Sequence, residues 1–99
     1  MDVLWADGQL RDRYLNISLG TRAWGRPVAR KFVQRVDYLI GAATWKDVSA
    51  LQSLRLHRLR GRREGQWAID LNSGWWLLVA YDEDENTVTV EEVTNHYDD

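Results

Sequence analysis

Apolar side chains recur at steps of three and four residues in the first half of the chain. Pro27 suits the first turn of a helix, and an apolar stripe with a polar opposite side begins directly after it. The members of this stripe are Val28, Phe32, Val36, Leu39, Ile40 and Ala43. The pattern predicts an amphipathic helix over residues 27–43. It also predicts a shorter helix over residues 9–17 and one or two capped helical turns over residues 44–51.

The second half changes to a period of two, which is typical of strands. Apolar and polar residues alternate over residues 54–61, 67–71 and 87–94, and each of these segments is predicted to be a strand. Residues 75–81 are apolar at every position. This predicts a central strand covered on both faces, or on one face plus an edge. Residues 3–6 add a candidate strand near the N-terminus.

Helices followed by an antiparallel meander indicate an α+β fold, and 99 residues allow one domain, residues 1–99. The chain has no Cys, which excludes disulfides, Cys-ligated zinc and a thiol nucleophile. No apolar run approaches the roughly 20 residues of a membrane span, and the first residues lack the pattern of a signal peptide. We therefore expect a cytoplasmic protein that does not associate with membranes.

Charge is divided unevenly along the chain. All 13 Lys and Arg lie within residues 1–63 together with 5 acidic residues, which gives this part a net charge of +8. Residues 64–99 carry 10 acidic residues and no Lys or Arg. Such a domain can present a basic face to an anionic partner such as RNA. It can also neutralise itself by packing the acidic strands beside the basic segment, and the two interpretations are compatible.

Several kinds of site are not expected. The chain has two histidines, His57 and His96, which is too few for a His-rich metal site. The carboxylates of residues 82–85 are typical of a solvated turn rather than of a calcium loop. No Ser stands in a nucleophile elbow, and there is no glycine-rich phosphate loop. Neither a metal nor another cofactor is predicted.

The densest run of positive charge covers residues 55–63, where five arginines and one histidine fall within nine residues. Alternation on a strand turns Leu54 and Leu56 inward and leaves Arg55 and His57 on the opposite face. Guanidinium groups stay charged and fork onto phosphate oxygens, so a cleft lined by them suits a nucleic-acid backbone or a phosphoryl transition state. The alternative is an edge strand whose charges keep it soluble.

Residues 56–69, LHRLRGRREGQWAI, resemble the signature of the HigB toxins, the proteic-killer branch of the RelE/ParE superfamily. That signature reads Leu-x-His-x-Leu-Lys-Gly-Asp-Arg-x-Gly-x-Trp, and the family's chains end near Asp-Tyr-His, which residues 91–97 resemble more weakly. The resemblance implies a RelE-like fold, with an N-terminal strand and two helices packed on a small, mainly antiparallel sheet. It also implies cleavage of mRNA on the ribosome by the adjacent ribose 2′-hydroxyl, without metal.

The same resemblance implies roles for individual residues. His57 matches the family's histidine, Arg60 stands in place of its Lys, and Arg63 matches its Arg. The two arginines are therefore expected to bind the scissile phosphate. His57 is expected to transfer a proton or to orient the substrate, because an imidazole pKa of about 6.5 permits either near neutrality. The other residues expected to contact RNA are Arg55, Arg58, Arg62, Trp76, Asn95 and Tyr97.

The chain departs from the family pattern at two places. Trp76 occupies the position of the family's second arginine, and an indole cannot neutralise phosphate, although it can stack on an exposed base. The family's terminal Asp-Tyr-His aligns without a gap to Asn95, His96 and Tyr97. A one-residue shift restores the histidine at His96. On a regular strand only one of His96 and Tyr97 faces the cleft, and we predict that His96 does so and shares proton transfer with His57.

The resemblance implies a HigA-like helix-turn-helix antitoxin as partner, in a toxin–antitoxin heterotetramer that contacts operator DNA only through the antitoxin. The ribosome and mRNA are the other expected partners. Two alternatives stay open. One is a catalytically impaired module that binds the antitoxin and regulates its operon, which Trp76 and the altered terminus motivate. The other is a ParE-like toxin directed at DNA gyrase, although the matched His57 favours the ribonuclease branch.

Overall fold

The computed structural model describes residues 1–96, which form four α-helices and one five-stranded sheet. In chain order the elements are β1 (Asp2–Trp5), α1 (Gly8–Leu15), α2 (Ile17–Trp24), α3 (Arg26–Gly41), α4 (Trp45–Ala50), β2 (His57–Arg58), β3 (Trp67–Asp70), β4 (Trp76–Asp82) and β5 (Thr87–Thr94). Within this part of the chain, no helix combines the length and the apolar character needed to cross a membrane.

The strands are ordered β1-β5-β4-β3-β2 across the sheet. The pairs β2–β3, β3–β4 and β4–β5 are antiparallel, whereas β1 runs parallel to β5. The predicted α+β class, the N-terminal strand and the central position of β4 are confirmed. The long helix and the short helix after it are also confirmed, as α3 and α4.

The predicted short helix over residues 9–17 is confirmed as α1, which ends at Leu15, whereas the helix that follows it, α2, was not predicted. Asn16 has an extended backbone, and its side-chain Oδ1 accepts a hydrogen bond of 3.1 Å from the Ser18 N–H. Asn16 therefore ends α1 and caps a new helix, α2, because Asn satisfies the first free N–H groups of a helix well. Within α2, Gly20 allows close packing on α3, since a Cβ there would lie 3.2 Å from the Ala29 Cβ.

The prediction of a strand over residues 54–61 was wrong for most of its length. A 3₁₀ turn covers Gln52–Leu54, and Arg55 lies in the left-handed region with φ of 48°. Only His57–Arg58 pairs as a strand, and Gly61–Arg63 form a second 3₁₀ turn. The alternation of Leu and charged residues is therefore a property of a folded-back loop as well as of a strand.

The helices cover one face of the sheet, and the main core lies between the helices and this face. Most of the fully buried side chains of this core come from α3 and from the inward positions of β3, β4 and β5. They include Phe32, Val36, Leu39, Ile69, Leu77, Val79, Val88 and Val90. The opposite face of the sheet is left without a helical layer, and a small separate apolar cluster lies there.

A β-bulge changes which residues of β5 face the helices. Val79 pairs with Val90, whereas the preceding Leu78 pairs with Glu92, so that Glu91 is an extra residue in β5. Without the bulge, the alternation that buries Val90 would also turn Glu92 towards the core. With it, Val93 packs against the core and Glu92 lies on the open face beside Leu78.

The Tyr14 hydroxyl of α1 donates a hydrogen bond to the Asp37 carboxylate of α3. This bond, helped by burial and by the negative charge of Asp37, raises the pKa of Tyr14 above its ordinary value. A pKa raised by folding contributes stability below the unfolded value of about 10, and this contribution is lost as pH rises through the folded pKa. We predict that Tyr14→Phe lowers the free energy of unfolding by about 0.5–1 kcal/mol at pH 7.

Denaturant unfolding at several pH values tests this prediction. The difference in the free energy of unfolding between the wild type and Tyr14→Phe should decrease as the pH rises above about 10. A difference that stayed constant between neutral and strongly alkaline pH would contradict it.

Candidate active site

The open face of the sheet carries a groove beside β2, with a volume of about 610 Å³. Its lining residues are His57, Arg58, Leu59, Arg60, Gly61 and Glu64. The groove therefore lies within the arginine-rich segment that the sequence singles out. Its lining carries more positive than negative side chains, which suits an anionic ligand.

A small apolar cluster forms the base of this face. Leu59, Ala68 and Leu78 are each no more than 3% exposed, and Trp76 packs against them. Trp76 and Leu78 belong to the central strand β4, and Ala68 lies beside them on β3. The side chains above this cluster thus rest on the central strand of the sheet and on its neighbour β3.

The loop between β2 and β3 presents the arginines. The Leu59 N–H donates a 2.9 Å bond to the Gln66 carbonyl and closes the loop. Gly61, at φ of 63°, and Gly65, at φ of 93°, adopt the left-handed backbone that glycine tolerates best. Because Leu59 is buried and Gly61 turns the chain directly afterwards, Arg60 between them lies exposed at the groove.

His57 is positioned by both its strand and its side-chain contacts. It pairs with Ala68, and its ring meets Trp76 edge to face, with ring centroids 5.1 Å apart and planes at 85°. His57 Nδ1 lies 3.1 Å from the Arg55 carbonyl oxygen. A carbonyl only accepts, so Nδ1 donates, and in the neutral ring the lone pair lies on Nε2. Nε2 is therefore the nitrogen that can take up a proton.

Arg55 is held by an acidic residue and an aromatic ring. Its guanidinium lies 5.5 Å from the centre of the Trp76 ring and forms a 3.3 Å ion pair with Asp70. Asp70 is 8% exposed and also accepts a 2.7 Å bond from the Asn72 N–H. Arg35 donates to the Asp70 carbonyl, and burial lowers the pKa of Arg35. Arg55 thus lies on the same face as His57, as expected, although a left-handed turn rather than strand alternation places it there.

Arg60 and Arg63 differ in their surroundings. Arg63 is 22% exposed, and its Nη1 donates to Glu92 at 2.9 Å and to Gln66 Oε1 at 3.4 Å. Arg60 is exposed and forms no ion pair within the described part of the chain. The sequence predicts the same role for both arginines, but their surroundings differ. The Arg60 guanidinium is exposed, whereas the Arg63 guanidinium already forms an ion pair with Glu92.

Two of the predicted RNA-contacting arginines have other surroundings. Arg58 borders the groove, but it pairs with Trp67 and its guanidinium lies 5.4 Å above that ring. Trp67 packs against the main core, so the Arg58 guanidinium is turned away from the face that carries His57. Arg62 lines a separate depression on the loop with Arg63, Glu64 and Gln66.

The predicted C-terminal residues follow the end of β5. Asn95 and His96 are exposed. The Thr94 hydroxyl donates to the His96 carbonyl at 2.6 Å and accepts from the His96 N–H at 3.0 Å. A local turn, rather than continued strand alternation, therefore orients the backbone at His96. Tyr97 lies outside the described residues. Which of His96 and Tyr97 faces the cleft therefore stays a prediction.

Sequence reasoning missed two acidic residues of the open face. Asp70 shares strand parity with Ala68, and this alternation was the signal that placed it opposite the helices. Glu92 carried no such signal, because only the bulge turns it to this face. Across residues 1–96, no group of three or more His, Asp or Glu side chains lies close enough together to hold a metal ion.

No protein-family model and no curated protein sequence matches the chain. Solved structures do match. YafQ from E. coli strain BL21(DE3) is similar with a TM-score of 0.65, over 93% of this chain and 89% of that chain, at 14% identity. The YoeB/ParE toxin from Agrobacterium tumefaciens matches with a TM-score of 0.60, over 98% and 100% of the two chains, also at 14% identity. The fold of this chain is therefore the one seen in these YafQ and YoeB/ParE toxin structures.

A chain of the YoeB–YefM complex from Staphylococcus aureus has the same fold, with a TM-score of 0.56, 14% identity and 98% coverage of each chain. The fold that the sequence resemblance implies is thus confirmed. The matches are to YafQ and YoeB structures and do not single out the HigB branch, which stays a prediction. In this fold, His57 and Trp76 lie together on the face that the helices leave open, and Arg60 lines the groove beside His57.

Proposed function

We propose that this protein is the toxin of a type II toxin–antitoxin system, of the HigB kind, and that it cleaves mRNA on the ribosome. The observation that supports this most is the groove in which His57 and the exposed Arg60 lie together on the open face of a toxin-type sheet. A cationic groove with one imidazole provides the phosphate clamp and the base that RNA cleavage by its own 2′-hydroxyl requires. The protein would act in the cytoplasm, where translating ribosomes are found.

In the proposed reaction, the ribose 2′-oxygen attacks the adjacent phosphorus and the bond from phosphorus to the 5′-oxygen breaks. His57 Nε2 takes the 2′-hydroxyl proton, and His96 donates a proton to the leaving 5′-oxygen. Arg60 and Arg63 stabilise the additional negative charge on the phosphate in the transition state. The products are a 2′,3′-cyclic phosphate and a 5′-hydroxyl, and the reaction needs neither a metal nor a protein nucleophile.

Trp76 would bind a base rather than phosphate. Its ring already contacts His57 and the Arg55 guanidinium, so it lies next to the proposed position of the scissile phosphate. An indole at this position can stack on the nucleotide beside the cleaved bond, and stacking tolerates every base. Arg55, Asn95 and Tyr97 would add contacts to the same strand of RNA. Arg58 would meet the backbone at the border of the groove, and Arg62 would meet it outside the groove.

An antitoxin is the proposed protein partner. The S. aureus structures are described as a YoeB–YefM complex and as a heterotetrameric YoeB–YefM toxin–antitoxin complex. By analogy, this chain would pair with an antitoxin in a heterotetramer. We propose a HigA-like helix-turn-helix protein, through which the complex would reach its operator DNA.

A catalytically impaired module that only binds the antitoxin is the second candidate. Two observations favour it: Trp76 stands where the family has an arginine, and Glu92 already occupies the Arg63 guanidinium. Both reduce the positive charge available to a transition state. Such a module would keep the fold and its partner but would not cleave RNA.

Inducible expression of the chain without any partner separates these functions. The ribonuclease should arrest growth and create new mRNA 5′ ends within translated regions. A binding module should produce neither effect. A gyrase-directed toxin should arrest growth with DNA breaks and an SOS response but without new mRNA ends, and either of these two outcomes would overturn the proposal.

A further inference from the structure

The ion pair between Arg63 and Glu92 joins two segments that are far apart in sequence. Arg63 ends the 3₁₀ turn after β2, and Glu92 lies on β5. The contact of 2.9 Å from Arg63 Nη1 to Glu92 Oε1 is short for a charged hydrogen bond. Arg63 is 22% exposed and Glu92 is 42% exposed. The pair is therefore partly shielded from water, which strengthens its attraction relative to a pair on the open surface.

This contact depends on an irregularity in the sheet, the β-bulge between β4 and β5. The bulge between β4 and β5 is what turns the Glu92 side chain to the open face, next to Leu78. Glu91, one position earlier, has the same charge, lies at the bulge and makes no ion pair within residues 1–96. The register of the sheet thus determines that Glu92, and not the neighbouring Glu91, forms the ion pair with Arg63.

Carboxylate and phosphate oxygens bind guanidinium in the same way. Both accept charge-assisted hydrogen bonds from the Arg N–H groups, and Arg binds either ion in similar planar geometry. Arg63 lines the depression beside the groove, and a phosphodiester that reaches it there meets an Nη1 donor that already serves Glu92. Binding requires that Glu92 give up this donor to the phosphate oxygen.

We propose that Glu92 holds the place of the substrate phosphate on Arg63 and is exchanged for it when RNA binds. This inference rests on the proposed function for the identity of the phosphate but not for the exchange itself. Arg60, exposed and without an ion pair among the described residues, makes the first contact with the backbone. Arg63 engages afterwards, only when a phosphate reaches the position that Glu92 occupies. Glu92 is thus a positioning residue that lowers affinity for loosely placed anions.

The exchange predicts a gain of affinity on removing the carboxylate. The probe is a short single-stranded RNA with deoxyribose at the cleavage position, which binds but cannot be cut, and binding is read by fluorescence anisotropy with the full chain. Glu92→Gln, nearly isosteric but uncharged, should bind the probe about fivefold or more tightly than the wild type, which corresponds to about 1 kcal/mol. Glu91→Gln is the matched control with the same change of net charge, and it should change the affinity less than about twofold.

A double-mutant cycle separates exchange from a general charge effect. In an Arg63→Gln background, Glu92→Gln should give no further gain, because the competition is for Arg63. Glu92→Asp keeps the charge on a shorter side chain and should give an intermediate gain in affinity for the probe. This variant tests the proposal if Glu92→Gln does not fold. Equal or weaker binding by Glu92→Gln, or a gain that persists without Arg63, would overturn the proposal.

A second probe separates this inference from the proposed function. Titration with inorganic phosphate, followed by the NMR signal of the Arg63 Nε–H, tests exchange without RNA. Phosphate should shift this signal at lower concentration in Glu92→Gln than in the wild type or Glu91→Gln. If phosphate gives this result and the RNA probe does not bind, the exchange at Arg63 is supported and the RNA-directed function is refuted. An equal response in all three proteins would refute the exchange.

Discussion

Arg60→Ala is expected to abolish growth arrest and to lower the rate of mRNA cleavage by about 100-fold or more, the loss typical when one group that stabilises transition-state charge is removed. Arg60 is exposed at the groove and forms no ion pair within residues 1–96, so its whole charge is available to the phosphate. For the same reason its truncation should leave the fold intact. Cleavage rates on translated mRNA, beside thermal unfolding of both proteins, measure the two effects.

Arg62→Ala is the matched control for this prediction. Arg62 is also exposed and lies two positions away, but it lines a separate depression on the loop rather than the groove with His57. Its removal subtracts the same charge and should lower the rate by only a few-fold. Equal losses for Arg60→Ala and Arg62→Ala would mean that net charge, and not the groove, governs activity.

His57→Gln is expected to lower the cleavage rate by a factor of about 10² to 10⁴, the range for loss of a general acid or base. Gln retains a polar side chain of similar size but cannot take up a proton. The contact with Trp76 and the bond from Nδ1 to the Arg55 carbonyl hold the imidazole in one orientation, so its loss removes a preset group.

Binding distinguishes proton transfer from orientation of the substrate. If His57 transfers a proton, His57→Gln should bind the non-cleavable RNA within about threefold of the wild type while the rate constant falls. A rate that fell only in proportion to weaker binding would assign His57 to orientation. Unchanged cleavage by His57→Gln would contradict its place in the reaction altogether.

The regular elements of the fold were predictable because their side-chain period is strong. The stripe from Val28 to Ile40 produced α3, and the unbroken apolar run over residues 75–81 marked β4 as central. The break at Asn16 was missed because one capping side chain outweighed a continuous apolar pattern. Short irregular turns around Arg55 and Gly61 were missed because alternation alone cannot distinguish a strand from a loop that folds back.

The candidate site was predictable in part. Arginine density and the motif around His57 located the groove, and the structure places His57 beside Arg60 in that groove and against Trp76. The difference between Arg60 and Arg63 was not predictable, because it depends on a bulge that turns Glu92 towards the loop. Register irregularities of this kind leave no periodic signal in a sequence.

The uneven charge of the chain has a structural explanation. The ion pairs Arg55–Asp70 and Arg63–Glu92 each join the basic segment to the acidic second half, so the predicted internal neutralisation is present. It is incomplete, because Arg60 stays exposed at the groove without an ion pair in the described part of the chain. Partial neutralisation keeps a net charge of −2 compatible with one local site for an anion.

Mapping RNA ends after incubation of the purified protein with ribosomes that translate a defined mRNA tests the central proposal most directly. The wild type should generate new fragments with 2′,3′-cyclic phosphate and 5′-hydroxyl ends, and Arg60→Ala and His57→Gln should generate almost none. Intact mRNA with the wild type, or the same new ends with both variants, would contradict the assignment of this groove to RNA cleavage.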